Sequence, residues 1–257
     1  MDPAPSPLPF HRLVVEAGHA AGTDKIAHHR YDRSYALHLE PYRHWRQWAL
    51  LEIGYGSGAG LTFWRQLFPE AFVYCLDRDV ALQQEQARVL QADQASLESL
   101  EAALAQIHHR PLGLIVDDGS HHPAHQLQTF SLLWPALLHP GGTYVIEDIE
   151  TSYWRQGVLY GYPLNYGLQD GWSCLEAFKL AVDYLNRRFL CAEDRSLLAY
   201  RLLSIGLDPQ ALRDVEQISF GPNCIVIRKA AAEDAPLLEA PYAHARCTER
   251  LPRPPLR

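Results

Sequence analysis

The sequence is poor in cysteine, has no long apolar run and carries no cluster of basic residues. Its five cysteines are an odd number without a CxxC pair, which favours isolated, buried thiols in a reducing compartment. No apolar stretch reaches the length of a transmembrane helix, and the first residues lack the basic and apolar regions of a signal peptide. We therefore expect a cytoplasmic protein that does not bind a membrane.

The formal net charge of −7 and the lack of a basic stripe argue against a nucleic-acid partner. With 257 residues, 47% of them hydrophobic and 21% charged, the chain has the size and composition of one globular domain. The proline-rich residues 1–10 are predicted to be disordered, and residues 230–257 to form an irregular tail. The predicted domain spans residues 11–229, with a lid or acceptor-site insertion at about 150–210.

Strand-like apolar segments alternate with helical patterns between residues 49 and 147. The predicted helices include one that Ser96 caps and that ends at residue 108 or 109, and one over residues 123–138. Such alternation predicts an α/β fold with a mostly parallel sheet. Residues 215–220 and 224–229 flank a Gly-Pro-Asn turn and predict an antiparallel hairpin. A Rossmann-like sheet closed by an antiparallel C-terminal hairpin is the pattern of the class I methyltransferases.

Two of the apolar strands end abruptly in acidic residues. The first leads into Asp117 and Asp118, and the second leads into Glu147 and Asp148. In neighbouring parallel strands these ends lie roughly 5 to 10 Å apart, so the carboxylates repel one another unless a cation lies between them. Magnesium and calcium prefer oxygen ligands of this kind. The pattern predicts a divalent metal site, with His121 beside it as a candidate base.

A glycine-rich turn over residues 52–58 follows the first strand. Gly54 and Gly56 let the backbone turn tightly and approach a ligand beside a helix N-terminus. Asp77 ends the next strand about 20 residues later, where an acid is placed to bind two ribose hydroxyls. The pair Asp93-Gln94 follows the third strand, where a side chain would contact adenine. The three features in register predict a cofactor that carries a nucleoside.

The antiparallel hairpin and the acid within the glycine motif favour S-adenosylmethionine over NAD. The upstream Gly-Thr-Asp-Lys sequence at residues 22–25 is either a helix cap or part of a cofactor lid, and we assign it to the cofactor. The residues assigned to cofactor binding are Thr23, Asp24, Lys25, Glu52, Gly54, Gly56, Asp77, Asp93, Gln94 and Asp117.

Together these motifs resemble the metal-dependent O-methyltransferases of antibiotic biosynthesis, the family of the mycinamicin and demethylmacrocin sugar O-methyltransferases. The matching pieces span residues 22–154, and the most specific is the Asp-Asp-Gly-Ser-His-His run at 117–122 followed by Glu147 and Asp148. The resemblance implies that Asp118, Glu147 and Asp148 hold Mg²⁺, with Mn²⁺ as a substitute, and that His121 is the catalytic base.

We therefore expect an S-adenosylmethionine- and Mg²⁺-dependent O-methyltransferase that acts on a sugar or vicinal diol of a natural product and assembles as a homo-oligomer. Two other classes stay open, a metal-dependent hydroxylase-like enzyme on this scaffold and a non-catalytic cofactor-binding protein. A facial iron site needs two histidines and one carboxylate, whereas acids dominate here. His122 competes with His121 for the role of base, His125 is interpreted as structural, and His28 and His29 as surface residues.

Overall fold

The computed structural model describes residues 9–109, 112–235 and 238. Within these ranges, eight strands form one sheet and two further strands form a separate hairpin. The strands are β1 (Trp48–Ile53), β2 (Ala71–Asp77), β3 (Leu82–Gln84), β4 (Ala87–Gln91), β5 (Leu112–Asp117), β6 (Leu138–Glu147), β7 (Gly157–Leu159), β8 (Tyr162–Leu164), β9 (Val215–Gly221) and β10 (Cys224–Lys229).

Helices cover both faces of the sheet, and short 3₁₀ turns lie at 40–44, 149–153, 187–189 and 209–212. Among the described helices, none combines the length and the apolar character needed to cross a bilayer. The α-helices are α1 (Pro9–Ala21), α2 (Asp24–Ala27), α3 (Asp32–Leu39), α4 (Ala59–Leu67), α5 (Leu97–Leu104), α6 (Pro123–Leu137), α7 (Cys174–Leu185) and α8 (Ala192–Ser204).

The strand order of the large sheet is β3-β4-β2-β1-β5-β6-β10-β9. Strands β4, β2, β1, β5 and β6 run parallel to one another, whereas β3 pairs antiparallel with β4, β10 with β6, and β9 with β10. The predicted parallel sheet with a closing antiparallel hairpin is thus confirmed. In the β5–β6 register Asp117 pairs with Ile146, so Asp118 and Glu147 leave the sheet side by side at its carboxyl edge.

Two hydrophobic layers sandwich the sheet and hold its central strands rigidly in place. Every residue of β1 is buried, with Leu50 facing one layer and Leu51 facing the other. Trp64 of α4 belongs to the first layer and Phe130 of α6 to the second, and both are fully buried. Each fully buried side chain of this size contributes roughly 1.5–3 kcal/mol. The strand ends that carry the motifs are therefore fixed by the core.

Several boundaries differ from the sequence-based expectations. Helix α1 begins at Pro9 and Phe10 is completely buried, so the predicted disorder is wrong for these two residues, while residues 1–8 lie outside the described part. Helix α5 has the predicted Ser96 cap but ends at Leu104, because the chain turns to bring His109 Nδ1 within 2.7 Å of the Tyr74 hydroxyl. Most of the predicted tail also lies outside the described residues.

Candidate active site

The glycine loop joins β1 to α4 in a conformation that requires glycine at its first position. Gly54 has a φ of +96°, and a Cβ at this position would lie 2.0 Å from the backbone oxygen of Asp118. Any side chain here would push the ends of β1 and β5 apart. The close approach therefore places the glycine loop directly beside the acidic end of β5.

The carboxylate of Asp77 lies at the end of β2 and fixes the glycine loop. One oxygen accepts hydrogen bonds from the backbone N–H groups of Tyr55 and Gly56, at 3.1 and 3.3 Å. The other accepts from the N–H groups of Asp79 and Val80, at 2.9 and 3.0 Å. Four backbone N–H donors fix the orientation of this carboxylate.

A cavity of about 250 Å³ opens at this edge of the sheet. It brings together the predicted ribose and adenine residues with the acidic end of β5 and the β7–β8 hairpin. Its lining includes Gly54, Gly56, Asp77, Asp93, Gln94, Asp118, Tyr160 and Tyr162.

The side chains of Asp93, Gln94 and Asp117 have different surroundings. The Tyr162 hydroxyl donates to Asp93 at 2.8 Å, so this hydrogen bond links the β7–β8 hairpin to the part of the cavity that Asp93 lines. Gln94 donates to both oxygens of Asp117, at 2.8 and 3.0 Å. Burial raises the pKa of Asp117 to about 6, against the opposing effect of these bonds. Asp117 is completely buried and does not line the cavity; its carboxylate holds Gln94, which does.

The residues before the first strand border a smaller adjoining cavity of about 130 Å³, which shares Gly54, Gly56 and Asp118 with the larger one. Thr23 caps α2 by accepting a 3.4 Å hydrogen bond from the Lys25 backbone, and Asp24 is exposed. The structure therefore shows a helix cap at Thr23 and places the Gly-Thr-Asp-Lys segment beside the glycine loop.

The ammonium group of Lys25 is buried among three carboxylates. It lies 2.8 Å from Glu147 Oε2 and 3.2 Å from Glu52 Oε1, and it also donates to Asp118 Oδ2. Burial lowers the pKa of Lys25, but the three carboxylates together outweigh burial and raise it well above its usual value. Trp64 Nε1 donates to Glu52 at 2.9 Å, and both Glu52 and Lys25 are only 1% exposed. Lys25 is therefore a buried cation.

Three side chains form a group that can hold a metal ion. One ligand atom from each of Asp118, His121 and Asp148 lies within 4.8 Å of the others. His121 Nε2 is 3.5 Å from Asp148 Oδ2 and 3.9 Å from Asp118 Oδ1. Both His121 and Asp148 have left-handed backbones, with φ of +53° and +51°, an uncommon conformation that turns the two side chains toward each other. Glu147 instead directs its carboxylate toward Lys25 and the Tyr35 hydroxyl.

The other oxygen of Asp148 is held by three residues from distant parts of the chain. The Tyr31 hydroxyl donates to Oδ1 at 2.5 Å, Asn223 Nδ2 donates at 2.9 Å, and His29 Nδ1 lies 3.1 Å away. The interpretation of His29 as a surface residue is wrong, since its side chain is 17% exposed and stacks on Tyr31. Asp148 is thus oriented with Oδ2 directed toward His121.

The three histidines of the 117–125 region have separate roles in the structure. His122 and His125 stack on each other and contact the rings of Tyr162 and Tyr166. Burial lowers the pKa of both imidazoles, that of His125 to about 4. His121 alone among them faces the carboxylates. The geometry therefore favours His121 over His122 as the group that meets a reacting hydroxyl.

The β7–β8 hairpin spans the cofactor cavity and the acidic group. Its turn consists of Tyr160 and Gly161, both with positive φ, at +50° and +88°. The Tyr160 ring lies 5.8 Å from the His121 ring, and the Tyr160 carbonyl accepts a 3.2 Å hydrogen bond from Arg78, the residue after Asp77. Tyr160 is 59% exposed, so its ring forms an accessible wall of the site.

Comparison with solved structures defines the fold class. The chain superposes on the MycE methyltransferase of the mycinamycin biosynthetic pathway, solved with Mg, S-adenosylhomocysteine and mycinamycin VI, with a TM-score of 0.70 and 25% identity. The match covers 85% of this chain and 54% of MycE. The fold is that of a class I methyltransferase, as predicted.

Comparison with curated sequences shows similarity to a more specific class of methyltransferase. The 2′-O-methyltransferase of 8-demethyl-8-α-L-rhamnosyl tetracenomycin C from Streptomyces olivaceus is 37% identical over 145 residues, 52% of this chain and 36% of that protein. The mycinamicin VI 2″-O-methyltransferase of Micromonospora griseorubida is 36% identical over 49% of this chain and 33% of its own length. The chain is thus similar to sugar O-methyltransferases, as the motifs indicated, and spans about a third of these two relatives. No family model matches it.

Proposed function

We propose that the protein is an S-adenosylmethionine- and Mg²⁺-dependent O-methyltransferase that acts on a sugar or vicinal diol of a natural product. One observation carries the proposal: Asp118 lines the nucleoside-sized cavity and also belongs to the group of possible metal ligands. A methyl donor in the cavity and a hydroxyl beside the metal would then meet at this residue. The similarity to enzymes that methylate sugar hydroxyls supports the same chemistry.

The cavity fits the cofactor in both size and chemistry. The Asp77 carboxylate lines the cavity as an acceptor for ribose hydroxyls, and the tight glycine turn leaves space beside it. S-adenosylmethionine would supply an electrophilic sulfonium methyl group. The smaller cavity at Thr23 and Asp24 continues past the glycine loop and would accommodate the amino-acid end of the donor.

The acidic group also fits a metal ion. Asp118 and Asp148 offer hard oxygen donors beside His121, whose Nδ1 is buried and has no hydrogen-bond partner among the described residues. We assign Asp118, Asp148 and Glu147 to the metal. Bound Mg²⁺ would lower the pKa of a coordinated hydroxyl and fix its orientation. His121 Nε2 would then accept the hydroxyl proton, and Tyr160 would limit the access of water from the open side.

The arrangement gives no support to an iron-dependent hydroxylase. The possible ligand group contains one histidine and two carboxylates, the reverse of the facial iron site. His29 contacts Asp148 through the opposite oxygen and is outside this group. The oxygen-rich donor set favours magnesium.

A methyl-transfer screen tests the proposal directly. Labelled S-adenosylmethionine is offered with sugars, glycosides and catechols, with Mg²⁺ and with EDTA, while titration calorimetry follows donor binding. We expect label in a sugar or diol acceptor only when Mg²⁺ is present, and donor binding in both conditions. Full turnover after chelation would remove the metal from the mechanism. Donor binding without transfer to any acceptor would favour a non-catalytic binding protein.

A further inference from the structure

Among the described residues, Lys25 is the one cation that contacts both the glycine-loop side of the site and the acidic group beside it. Its ammonium group pairs with Glu52 at the start of the glycine loop and with Asp118 and Glu147 at the acidic ends of β5 and β6. These three carboxylates come from three different strand ends, and the Lys25 side chain is 2% exposed. The lysine thus occupies the position between carboxylates where a cation is required.

The charge around Lys25 does not balance. Glu52, Asp118, Glu147 and Asp148 supply four carboxylates, and one ammonium group neutralises only part of this charge. The lysine also occupies particular donor atoms, Asp118 Oδ2 and Glu147 Oε2. The remaining Glu147 oxygen accepts the Tyr35 hydroxyl. Asp118 Oδ1 and Asp148 Oδ2 are the carboxylate atoms that remain directed toward His121.

We propose that Lys25 is an internal counter-cation that competes with the divalent metal for Asp118 and Glu147 and so sets the metal affinity of the site. The inference rests on the metal site of the proposed function. Without metal, the ammonium group keeps buried carboxylates paired, and removal of one partner from such a cluster is strongly destabilising. With metal, the same positive charge repels the ion and competes with it for Glu147. Lys25 is therefore a positioning residue for the ligands, and its contacts are with carboxylates of the protein.

The test measures Mn²⁺ affinity by electron paramagnetic resonance and thermal unfolding with and without Mn²⁺, in the wild type, Lys25→Met and Lys25→Gln. Loss of a positive charge a few ångströms from a divalent ion should tighten Mn²⁺ binding by about tenfold or more. We also expect a lower Tm without metal and a larger rise in Tm on adding Mn²⁺. Lys179→Met is the matched control, since Lys179 is 45% exposed and pairs with Glu176 on α7.

Tighter Mn²⁺ binding by a lysine variant is a result that simple loss of structure cannot produce. Equal or weaker affinity in both folded variants, with a wild type that binds Mn²⁺, overturns the inference and leaves the proposed function standing. If neither the wild type nor the variants bind Mn²⁺, the metal site and the inference both fail. Variants that remain unfolded in saturating Mn²⁺ also overturn it, because a competing metal should replace the ammonium group.

Discussion

The cofactor half and the metal half of the site lie at the same edge of one sheet but are held in place differently. In the cofactor half, the Asp77 carboxylate accepts hydrogen bonds from backbone N–H groups of the glycine loop, 22 and 21 positions earlier in the chain. In the metal half, Lys25 reaches Glu147 across 122 positions, and Asn223 reaches Asp148 across 75. The first half depends on local geometry, and the second on side chains delivered by remote elements.

This difference has a consequence for mutation. Replacing Asp77 in the cofactor half removes a ligand contact and the hydrogen bonds from the Tyr55 and Gly56 amides, but it leaves the metal half's side chains in place. A change in the metal half alters a buried network in which each carboxylate needs its partner. We therefore expect the two halves to be separable in binding measurements, and the first three variants below should each affect one half and spare the other.

His121→Asn should have the largest effect. It removes the proposed base, so turnover should fall by a factor of about 10² to 10⁴, while affinity for S-adenosylmethionine stays unchanged. Asparagine is chosen because it tolerates the left-handed backbone at this position. Methyl-transfer kinetics and calorimetry measure the two quantities, and His122→Asn is the matched control. Lost Mn²⁺ binding would make His121 a ligand, and normal turnover with a normal pH profile would assign the proton to another acceptor.

Asp77→Ala should weaken S-adenosylmethionine binding while Mn²⁺ affinity is retained. Losing hydrogen bonds to a charged group costs roughly 1.5–3 kcal/mol each, which corresponds to about 10- to 100-fold in the dissociation constant. Calorimetry with the donor measures this change, and Asp183→Ala on the exposed side of α7 serves as the control. Unchanged donor affinity would defeat the assignment of Asp77 to the ribose.

Asn223→Gly tests the support of the metal half. Glycine keeps the left-handed backbone of Asn223, which has a φ of +58°, and removes the side-chain amide, which donates to Asp148 and accepts from the Glu150 backbone N–H. Loss of an outer-shell partner typically lowers metal affinity by about 10-fold or more. Mn²⁺ titration should show this loss, with donor affinity unchanged and the exposed Gln217→Ala on β9 behaving as wild type. An unaltered Mn²⁺ affinity would mean that Tyr31 and His29 suffice to orient Asp148.

The smallest expected effect is the contribution of His125, whose ring contacts Tyr162, to the pH dependence of the free energy of unfolding. Burial lowers the pKa of His125 to about 4, below its unfolded value of about 6.5. The unfolded chain therefore binds a proton that the folded chain rejects, and stability falls as the pH drops from about 6.5 to about 4. Because this ring is only half-buried, we expect the free energy of unfolding to fall by roughly 1 kcal/mol across this pH range.

Urea unfolding of the wild type and His125→Phe across this pH range measures the effect. The variant should lack this part of the pH dependence, so the difference in unfolding free energy between the two proteins should change with pH. Parallel curves would show that His125 does not contribute. The acids titrate in both proteins and cancel in the comparison.

The sequence predicted the features that depend on local pattern. Strands that end in acids, a glycine turn with Asp77 at the expected spacing, and the Gly-Pro-Asn turn of the last hairpin each occupy only a few consecutive residues. The β7–β8 hairpin was missed, although Tyr160 and Gly161 between apolar residues are a turn signal.

The partners of Asp148 and Glu147 could not be predicted from the sequence. Nothing around His29, Tyr31 or Asn223 marks them as neighbours of an acid, because the fold alone brings them there. Lys25 was assigned to the cofactor from its motif, and its actual partners belong to three strand ends. Such contacts depend on the register of β6 with β10, a property of the assembled sheet.

The position of β10 beside β6 also determines when the site becomes complete as the chain is synthesised. Residues of the cofactor half, from Gly54 to Gln94, emerge early and can associate as soon as β1, β2 and β4 pair. The hydrogen bond from Asn223 to Asp148 can form only after the turn before β10, the last strand of the sheet in chain order, has been synthesised. A growing chain can therefore form the glycine-loop side of its cavity well before Asp148 is held in place, and the final hairpin acts as the closing step of assembly.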